Sequence, residues 1–471
     1  MSELKRSLNL FDTIMIVSGS MIGSGIFIVS AEMTRVLGSP VLVLLCWLIS
    51  GMITLFAALS YGELAGMMPD AGGQFIYIQR AYGRMTSFIY GWTVFAVIQT
   101  GVIAAVAVAF AKFTGVLFPF FDENHRVFSW GTFSVSTTQI LGIVSIFFLT
   151  YLNSRGINNG KIIQRLFTSV KLLALLGLIV IGFSVGYKTG YWQNNMHLPF
   201  VNAAAGSSSG FSVSALLGAL GVALIGSLFS TDAWNNVTFI AGEVKDPRRT
   251  IPLGLLIGVL MVTILYLLAN VAYFMLLPAG SSTGQTVIER GVAYAQNDRV
   301  GTAAMFGLFG DVSAYIMALL IVVSTFGCNN GLILSGARLF QSMSHQGLFF
   351  RGAAYLNKNG VPSKALWFQA AWASLLCLSG SYSKLLQYCT FASLFFYIVT
   401  ISALFYLRKK EPTTPRPYKA YGYPVIPALY VLIASAICID LLIYEPYSTF
   451  SGLLIMLLGV PVYYLFNKKS V

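Results

Sequence analysis

LGVALIGSLFSTDAWNNVTFIAGEVKDPRR, residues 220–249, decides the architecture. It opens as an apolar run of the kind that crosses a bilayer. It then carries Ser230, Thr231, Asp232, Ala233, Trp234, Asn235 and Asn236, placing a carboxylate and two amides where an ordinary span is apolar throughout. A charge at mid-membrane costs about 3 kcal/mol or more, so it faces a cavity or a partner. The other reading makes Thr231 or Asp232 a helix N-cap, which also requires the helix to restart here.

A second interruption lies in FDTIMIVSGSMIGSGIFIVS, residues 11–30. Gly19, Ser20, Gly23, Ser24 and Gly25 favour an open backbone. The alternative is close helix packing through the Gly19–Gly23 pair. A third polar signal is Lys171, within RLFTSVKLLALLGLIVIG at 165–182. It lies roughly nine residues into its span, about 13 Å from the start at the helical rise. That is further than a lysine comfortably snorkels, so an interior, bonded ammonium is expected.

The rest of the chain sets these signals in a membrane. Its 471 residues are 56% hydrophobic and only 10% charged, too little polarity to cover a soluble domain of that size. Short alternating segments of a β-barrel do not dominate, which leaves a helix bundle. Spans are expected near 11–37, 40–66, 86–118, 136–153, 162–187, 212–241, 251–277, 312–342, 363–380, 385–407, 425–443 and 448–466. The expected fold is therefore an all-α polytopic membrane protein with twelve transmembrane helices in a single transporter domain. Interruptions in spans one and six suit a LeuT-type five-plus-five inverted repeat, with halves at 11–187 and 212–407 and two peripheral helices at 425–466. No residue-level repeat joins the halves, so this support is positional.

Sorted by that scheme, about 21 Lys and Arg fall on the side of the termini and about 7 on the other, which makes both termini cytoplasmic. The net charge of +13 thus reports orientation, and no basic stripe suggests nucleic acid. The first apolar run contains Asp12 and lacks a small-residue cleavage site, so it reads as a retained span rather than a signal peptide. Connections at 119–135, 188–211 and 278–311 are the longest on the other side. Gly66–Arg84 is too polar to span and reads as a cytoplasmic or re-entrant connector.

Other chemistry finds little footing. The five cysteines fall in apolar segments without zinc-ligand spacing, and His125, His197 and His345 are far apart, so neither a metal nor a cofactor is expected. Gly206–Gly210 matches the GxSxG pattern but sits in a Ser/Gly/Ala-rich loop. An intramembrane enzyme would need a catalytic set within the spans, and a channel repeated charged rings or a carbonyl filter. Neither is evident. A non-transporting sensor would share the fold, but no signalling domain is present. Broken helices offer N–H groups to a carboxylate and carbonyls to an ammonium, and a zwitterionic amino acid presents both.

At this point the sequence resembles the L-amino acid transporter family of the amino acid–polyamine–organocation superfamily. The matches are MIGSGIF at 21–27, ELAGMMPDAGGQFIY at 63–77, VKLLAL at 170–175, LFSTDAWNNVTFIAGEVKDPRRTIP at 228–252 and STFGCNNGLILSGARLF at 324–340. The resemblance implies a sodium-independent, alternating-access exchanger of L-amino acids in the plasma or inner membrane. It implies a substrate site formed by Met21, Ile22, Gly23, Ser24 and Gly25 with Phe229, Ser230, Thr231, Asp232 and Asn235. Amides of Ser24 and Gly25 would take the carboxylate, and carbonyls near Met21, Phe229 and Asp232 the ammonium. Phe229 would be an outer gate and Asn235 a support. Lys171 would stand in for a sodium ion, bonding near the first span and Ser324. The loop Pro119–Gln139 lacks the cysteine through which animal members join a heavy subunit, so no such partner is expected. Asp232 would suit cationic side chains, but the lack of other buried carboxylates near the site favours small neutral ones.

Overall fold

The computed structural model describes residues 6–122, 124–130, 133–198, 213–379, 382–444 and 446–467. The Gly206–Gly210 stretch and residue 212 of the sixth expected span lie outside these. The first span is two helices, α1 (Leu10–Met21) and α2 (Gly25–Leu37), bent by 41° across Ile22–Ser24. The second is α3 (Pro40–Met67), and the polar connector after it holds a short helix, α4 (Gln74–Tyr82). The third is α5 (Arg84–Thr93) and α6 (Gln99–Leu117), joined by a π-helical turn at Val94–Ile98. A hairpin, β1 (Arg126–Trp130) with β2 (Phe133–Ser136), leads to α7 (Thr137–Ser154) and α8 (Ile157–Gly186).

A short α9 (Tyr191–Met196) precedes α10 (Val213–Ser230), which ends at the sixth-span interruption. Beyond it come only a one-turn helix, α11 (Asn236–Phe239), and a 3-10 turn at Ala241–Glu243, before α12 (Pro247–Leu276). The expected connection 278–311 contains α13 (Val287–Arg290) and α14 (Val300–Phe309), the second apolar but too short to cross a bilayer. The chain closes with α15 (Val312–His345), α16 (Ser363–Ser379), α17 (Tyr382–Lys410), α18 (Val425–Tyr444) and α19 (Pro446–Asn467). Among the described residues eight helices are long and apolar enough to span, nine with the α1–α2 pair. Helix occupies every one of the twelve expected spans; α10, α16 and α19 are the three outside that count. The protein is an all-α polytopic membrane protein.

Small residues let the spans approach, the usual device where lipid supplies no hydrophobic drive between helices. A Cβ on Gly51 of α3 would overlap Thr263 of α12, and one on Gly254 of α12 would overlap Thr13 of α1. The start of α1 is fixed by reciprocal capping: Asp12 N–H donates to Asn9 Oδ1 at 2.9 Å and Asn9 N–H to Asp12 Oδ2 at 3.0 Å. The same carboxylate pairs with Lys161 at 3.0 Å and Arg165 at 2.5 Å on α8.

Near this end, Ser7 and Leu8 N–H groups donate to Glu243 O at 2.9 and 3.0 Å, and Lys245 N–H donates to Leu8 O at 2.8 Å. The Glu243 carboxylate is itself buried against Arg338 of α15, which donates through Nε and Nη2 at 3.2 and 3.1 Å. Spans one and six are thereby both tied to α8 and α15. At the far end of α2, Arg35 donates to Asp298 Oδ1 and Ala293 O, both at 2.6 Å.

Because both members of the Arg338–Glu243 pair are buried, removing one leaves an uncompensated charge. Arg338→Ala should cost about 3–5 kcal/mol, whereas replacing both by Met and Gln should recover most of it. Thermal unfolding of the purified protein in detergent checks this. Equal midpoints for the single variant and the unaltered chain would show that the pair carries no stability.

Candidate functional site

A membrane helix that stops mid-bilayer leaves its last carbonyls without intrahelical donors. At the end of α1 five consecutive carbonyls are met from three other spans. Lys171 of α8 donates to Gly19 O at 2.6 Å and Ile22 O at 2.7 Å, and also to Ser324 O of α15 at 3.3 Å. Cys328 Sγ–H of α15 donates to Ser20 O at 3.0 Å, and Tyr266 O–H of α12 to Met21 O at 3.1 Å. The Ser324 hydroxyl reaches Ile22 O and Gly23 O, both at 3.2 Å. Ser324 and Cys328 share a helix face by their spacing of four.

The opening is narrower than the Gly/Ser run suggested. Gly19 and Ser20 remain in α1, and only Ile22–Ser24 leave the helix. Gly19 serves a close approach instead: a Cβ there would overlap Gln164 and Thr168 of α8. Gly25 is the first residue of α2, and a Cβ on it would overlap the Ser230 side chain. That contact joins the two interruptions.

The sixth-span interruption is held by local bonds. Thr231 N–H donates to Ser227 O at 3.0 Å, Asp232 N–H to Phe229 O at 3.1 Å and Thr238 N–H to Asn235 O at 2.8 Å. Ala233 sits in the left-handed region at φ 64°, a costly conformation for a residue with a Cβ. The alternative reading of Thr231 or Asp232 as a helix N-cap is not the one the structure takes, since Asn235 occupies that position of α11 and makes no side-chain cap. Asp232 instead accepts from Tyr397 O–H of α17 at 2.5 Å. Asn235 Nδ2 donates to Gln74 Oε1 at 2.9 Å, which also accepts from Tyr90 O–H at 3.0 Å. Gln74 Nε2 in turn donates to Thr400 Oγ1 at 2.9 Å and Phe396 O at 3.1 Å. The α4 connector thus delivers one amide that touches spans three, six and ten.

Two cavities flank Asp232. Both are small: one lies toward Gln74, Tyr90, Gln99 and Leu332, and the other toward Ile53, Thr54 and Tyr430. Asp232, Ser393 and Tyr397 line both.

Of the expected site residues, Met21 to Gly25, Ser230, Thr231 and Asn235 are buried, and Phe229 and Asp232 are partly so. The structure brings Gly25 against Ser230, and Lys171 and Ser324 against the first interruption. Asp232 and Asn235 belong to the cavity side with Tyr397. Tyr266, Cys328, Gln74, Tyr90, Ser393 and Tyr397 escaped the sequence reading. Gln74 and Cys328 had a signal, as members of the matched 63–77 and 324–340 motifs.

A family model described as amino acid permease matches residues 8–464. The chain is 28% identical over 470 residues to the serine/threonine exchanger SteT of Bacillus subtilis (strain 168), covering 99% of this chain and 98% of that protein. It is 29% identical over 467 residues to the large neutral amino acids transporter small subunit 2 of Homo sapiens, covering 98% and 80%. To the human cystine/glutamate transporter it is 30% identical over 465 residues, covering 98% and 86%. These likenesses agree with the one carried by the motifs. With interrupted helices meeting at Gly25 and Ser230 and a match over nearly its full length, the chain belongs to the amino acid permease family of the amino acid–polyamine–organocation superfamily.

Proposed function

We propose that the protein is a sodium-independent exchanger of L-amino acids, small neutral ones foremost, working by alternating access. The observation that carries this reading is the Lys171 ammonium fixed across the first interruption by Gly19, Ile22 and Ser324 carbonyls. It supplies at that point a positive charge that, unlike a bound ion, is covalently part of the chain. The names of the relatives support the exchange and the substrate class: a serine/threonine exchanger and a large neutral amino acids transporter subunit match over nearly the whole chain.

In this reading 11–187 and 212–407 are the halves of a LeuT-type inverted repeat, and 425–466 are peripheral. Ser24 and Gly25 present backbone amides at the start of α2 to the substrate carboxylate. Met21, Phe229 and Asp232 offer carbonyls to its ammonium. Met21 O receives one donor from Tyr266, and Phe229 O one from the Asp232 amide. A carbonyl has two lone pairs, so each retains capacity for a ligand. Ile22, Gly23, Ser230 and Thr231 form the walls, Phe229 the outer gate, and Asn235 the support. Both termini lie in the cytoplasm, the membrane is the plasma or inner membrane, and no disulfide-linked heavy subunit joins.

Exchange of internal for external serine by proteoliposomes should run at equal rates in sodium and choline buffers. Lys171→Ala should lose most of it, because unpaired carbonyls in a dry site cost about 1–3 kcal/mol. Uptake that climbs steeply with external sodium would overturn the mechanism. Gly25→Ala should weaken serine-induced thermal stabilisation by pressing on Ser230, and Ser230→Gly should restore part of the loss in the same protein. No recovery would remove the Gly25–Ser230 contact from the site. Cysteines introduced at 3 and 469 should resist an impermeant reagent added outside intact cells; labelling at either would reverse the orientation.

A further inference from the structure

Residues 408–419, RKKEPTTPRPYK, close α17 and begin the connection to α18, and they carry five cations against one carboxylate. Two of the cations are taken inward. Glu63, buried near the end of α3, pairs with Arg408 at 2.5 Å and Arg416 at 3.1 Å and also accepts from Ala420 N–H at 2.7 Å. Glu411 is occupied too, since Arg80 of α4 donates to it through Nε at 3.1 Å and Nη2 at 2.7 Å. Lys409 and Lys410 are left exposed, and neither forms an ion pair among the described residues.

What stands beside these lysines is built. Phe395, Val399, Ser402, Tyr406 and Lys409 follow the three- and four-residue spacing of one helix side, and all are open to the surroundings of α17. From Val399 to Lys410 is about 16 Å at the helical rise, close to half of a bilayer core of about 30 Å. The stripe thus runs along one leaflet and ends in charge. Tyr406 stands near that end and is 45% exposed. Tyr82, the last residue of α4, stacks on it with ring centroids 5.9 Å apart and donates its hydroxyl to Val399 O at 3.2 Å. Lys410 Nζ lies 5.3 Å from the centroid of the Tyr406 ring. Lysines at a helix C-terminus offset the dipole and mark one side of the membrane. Neither role calls for a pair of pinned aromatic rings beneath them.

We propose that this corner between α4 and α17 binds an anionic phospholipid of the surrounding bilayer. Its phosphate lies at Lys409 and Lys410, its glycerol on the Tyr82–Tyr406 shelf and an acyl chain along the open side of α17. A soluble phosphate shares the charge but has no use for the stripe, and the stripe favours the lipid. The site goes beyond the exchange reading and does not depend on it. It bears on the same machinery, because α4 also carries Gln74, whose amide bonds Phe396 and Thr400 of α17 and Asn235 of the sixth span. A lipid seated across Tyr82 and Lys410 holds that connector against α17.

The experiment is thermal unfolding of the full chain in micelles of a neutral detergent, titrated with phosphatidylglycerol or with phosphatidylcholine of the same chains. Phosphatidylglycerol should raise the unfolding temperature at a far lower mole fraction. A lysine beside an anionic surface is worth about fivefold in affinity, so the double variant Lys409→Gln, Lys410→Gln should move the phosphatidylglycerol midpoint upward at least about tenfold. Tyr406→Ala, with both lysines kept, should move it in the same direction. Lys358→Gln, at an exposed lysine between α15 and α16, should leave it in place. Equal stabilisation by the two lipids overturns the proposal, as does an unchanged midpoint in the double variant. A shift at Lys358→Gln as large as that of the double variant also overturns it, by showing a diffuse attraction rather than a site. Equal stabilisation by glycerol 3-phosphate, which has no chains, overturns the lipid in favour of a soluble anion.

Discussion

A gap in a membrane helix is permitted only where something other than water bonds the backbone it exposes. In hydrocarbon each unsatisfied carbonyl costs several kcal/mol. The structure answers that constraint at the first span with an ammonium. Lys171 can place three hydrogens around one point, more than a hydroxyl or an amide nitrogen provides, and it spends two on α1 and one on α15. Tyr266, Ser324 and Cys328 cover the carbonyls it cannot reach. The gap therefore depends on α8, α12 and α15 all being in register with it. Spans far apart in sequence are held to one geometry by the polar needs of five carbonyls, Gly19 to Gly23.

The sixth span meets the same constraint by another route. Turns within the segment bond the carbonyls of Ser227, Leu228, Phe229, Ala233 and Asn235, and Ala233 sits in the left-handed region. Side chains freed from that duty form a separate network through Asp232, Tyr397, Asn235 and Gln74. One interruption is thus organised around the Lys171 side chain, whose donors are all used, and the other around the Asp232 carboxyl group. The two are packed together where Gly25 lacks a side chain against Ser230. A Cβ at that position would separate them, so the size of one residue sets how closely a cationic region and an anionic region share the membrane interior.

Much of this was legible in advance because hydropathy and depth are local properties. Lys171 stands out as a charge too deep to snorkel and Asp232 as a carboxylate at mid-membrane; Asp232 lies in the sixth-span interruption and Lys171 bonds to the first. The extent of the first gap was misjudged for a physical reason: glycine is chosen both for open backbone and for close approach, and Gly19 serves the second against Gln164. Tyr266 and Cys328 were illegible because a tyrosine or cysteine in an apolar run looks the same whether it packs or donates. Gln74 was read as part of a polar connector, since nothing in the local sequence shows that α4 is tucked against spans three, six and ten. The helices within 278–311 were missed because α14, at ten residues, is too short for a span signal.

The way the ends are fastened bears on how such a molecule can move. Span one is tied near its start through Asp12 to Lys161 and Arg165, and span six through Glu243 to Arg338, while Ser7 and Leu8 bridge to Glu243. The two fastenings differ in character. Arg165 and Lys161 are 38% and 18% exposed, so water reaches the cations of the first cluster although Asp12 is 1% exposed, whereas Arg338 and Glu243 are nearly fully buried. Separating a buried pair in a dry interior exposes two charges to hydrocarbon, which is prohibitive unless water arrives with the separation. Parting either fastening leaves a buried carboxylate, Asp12 or Glu243, that needs water or another donor.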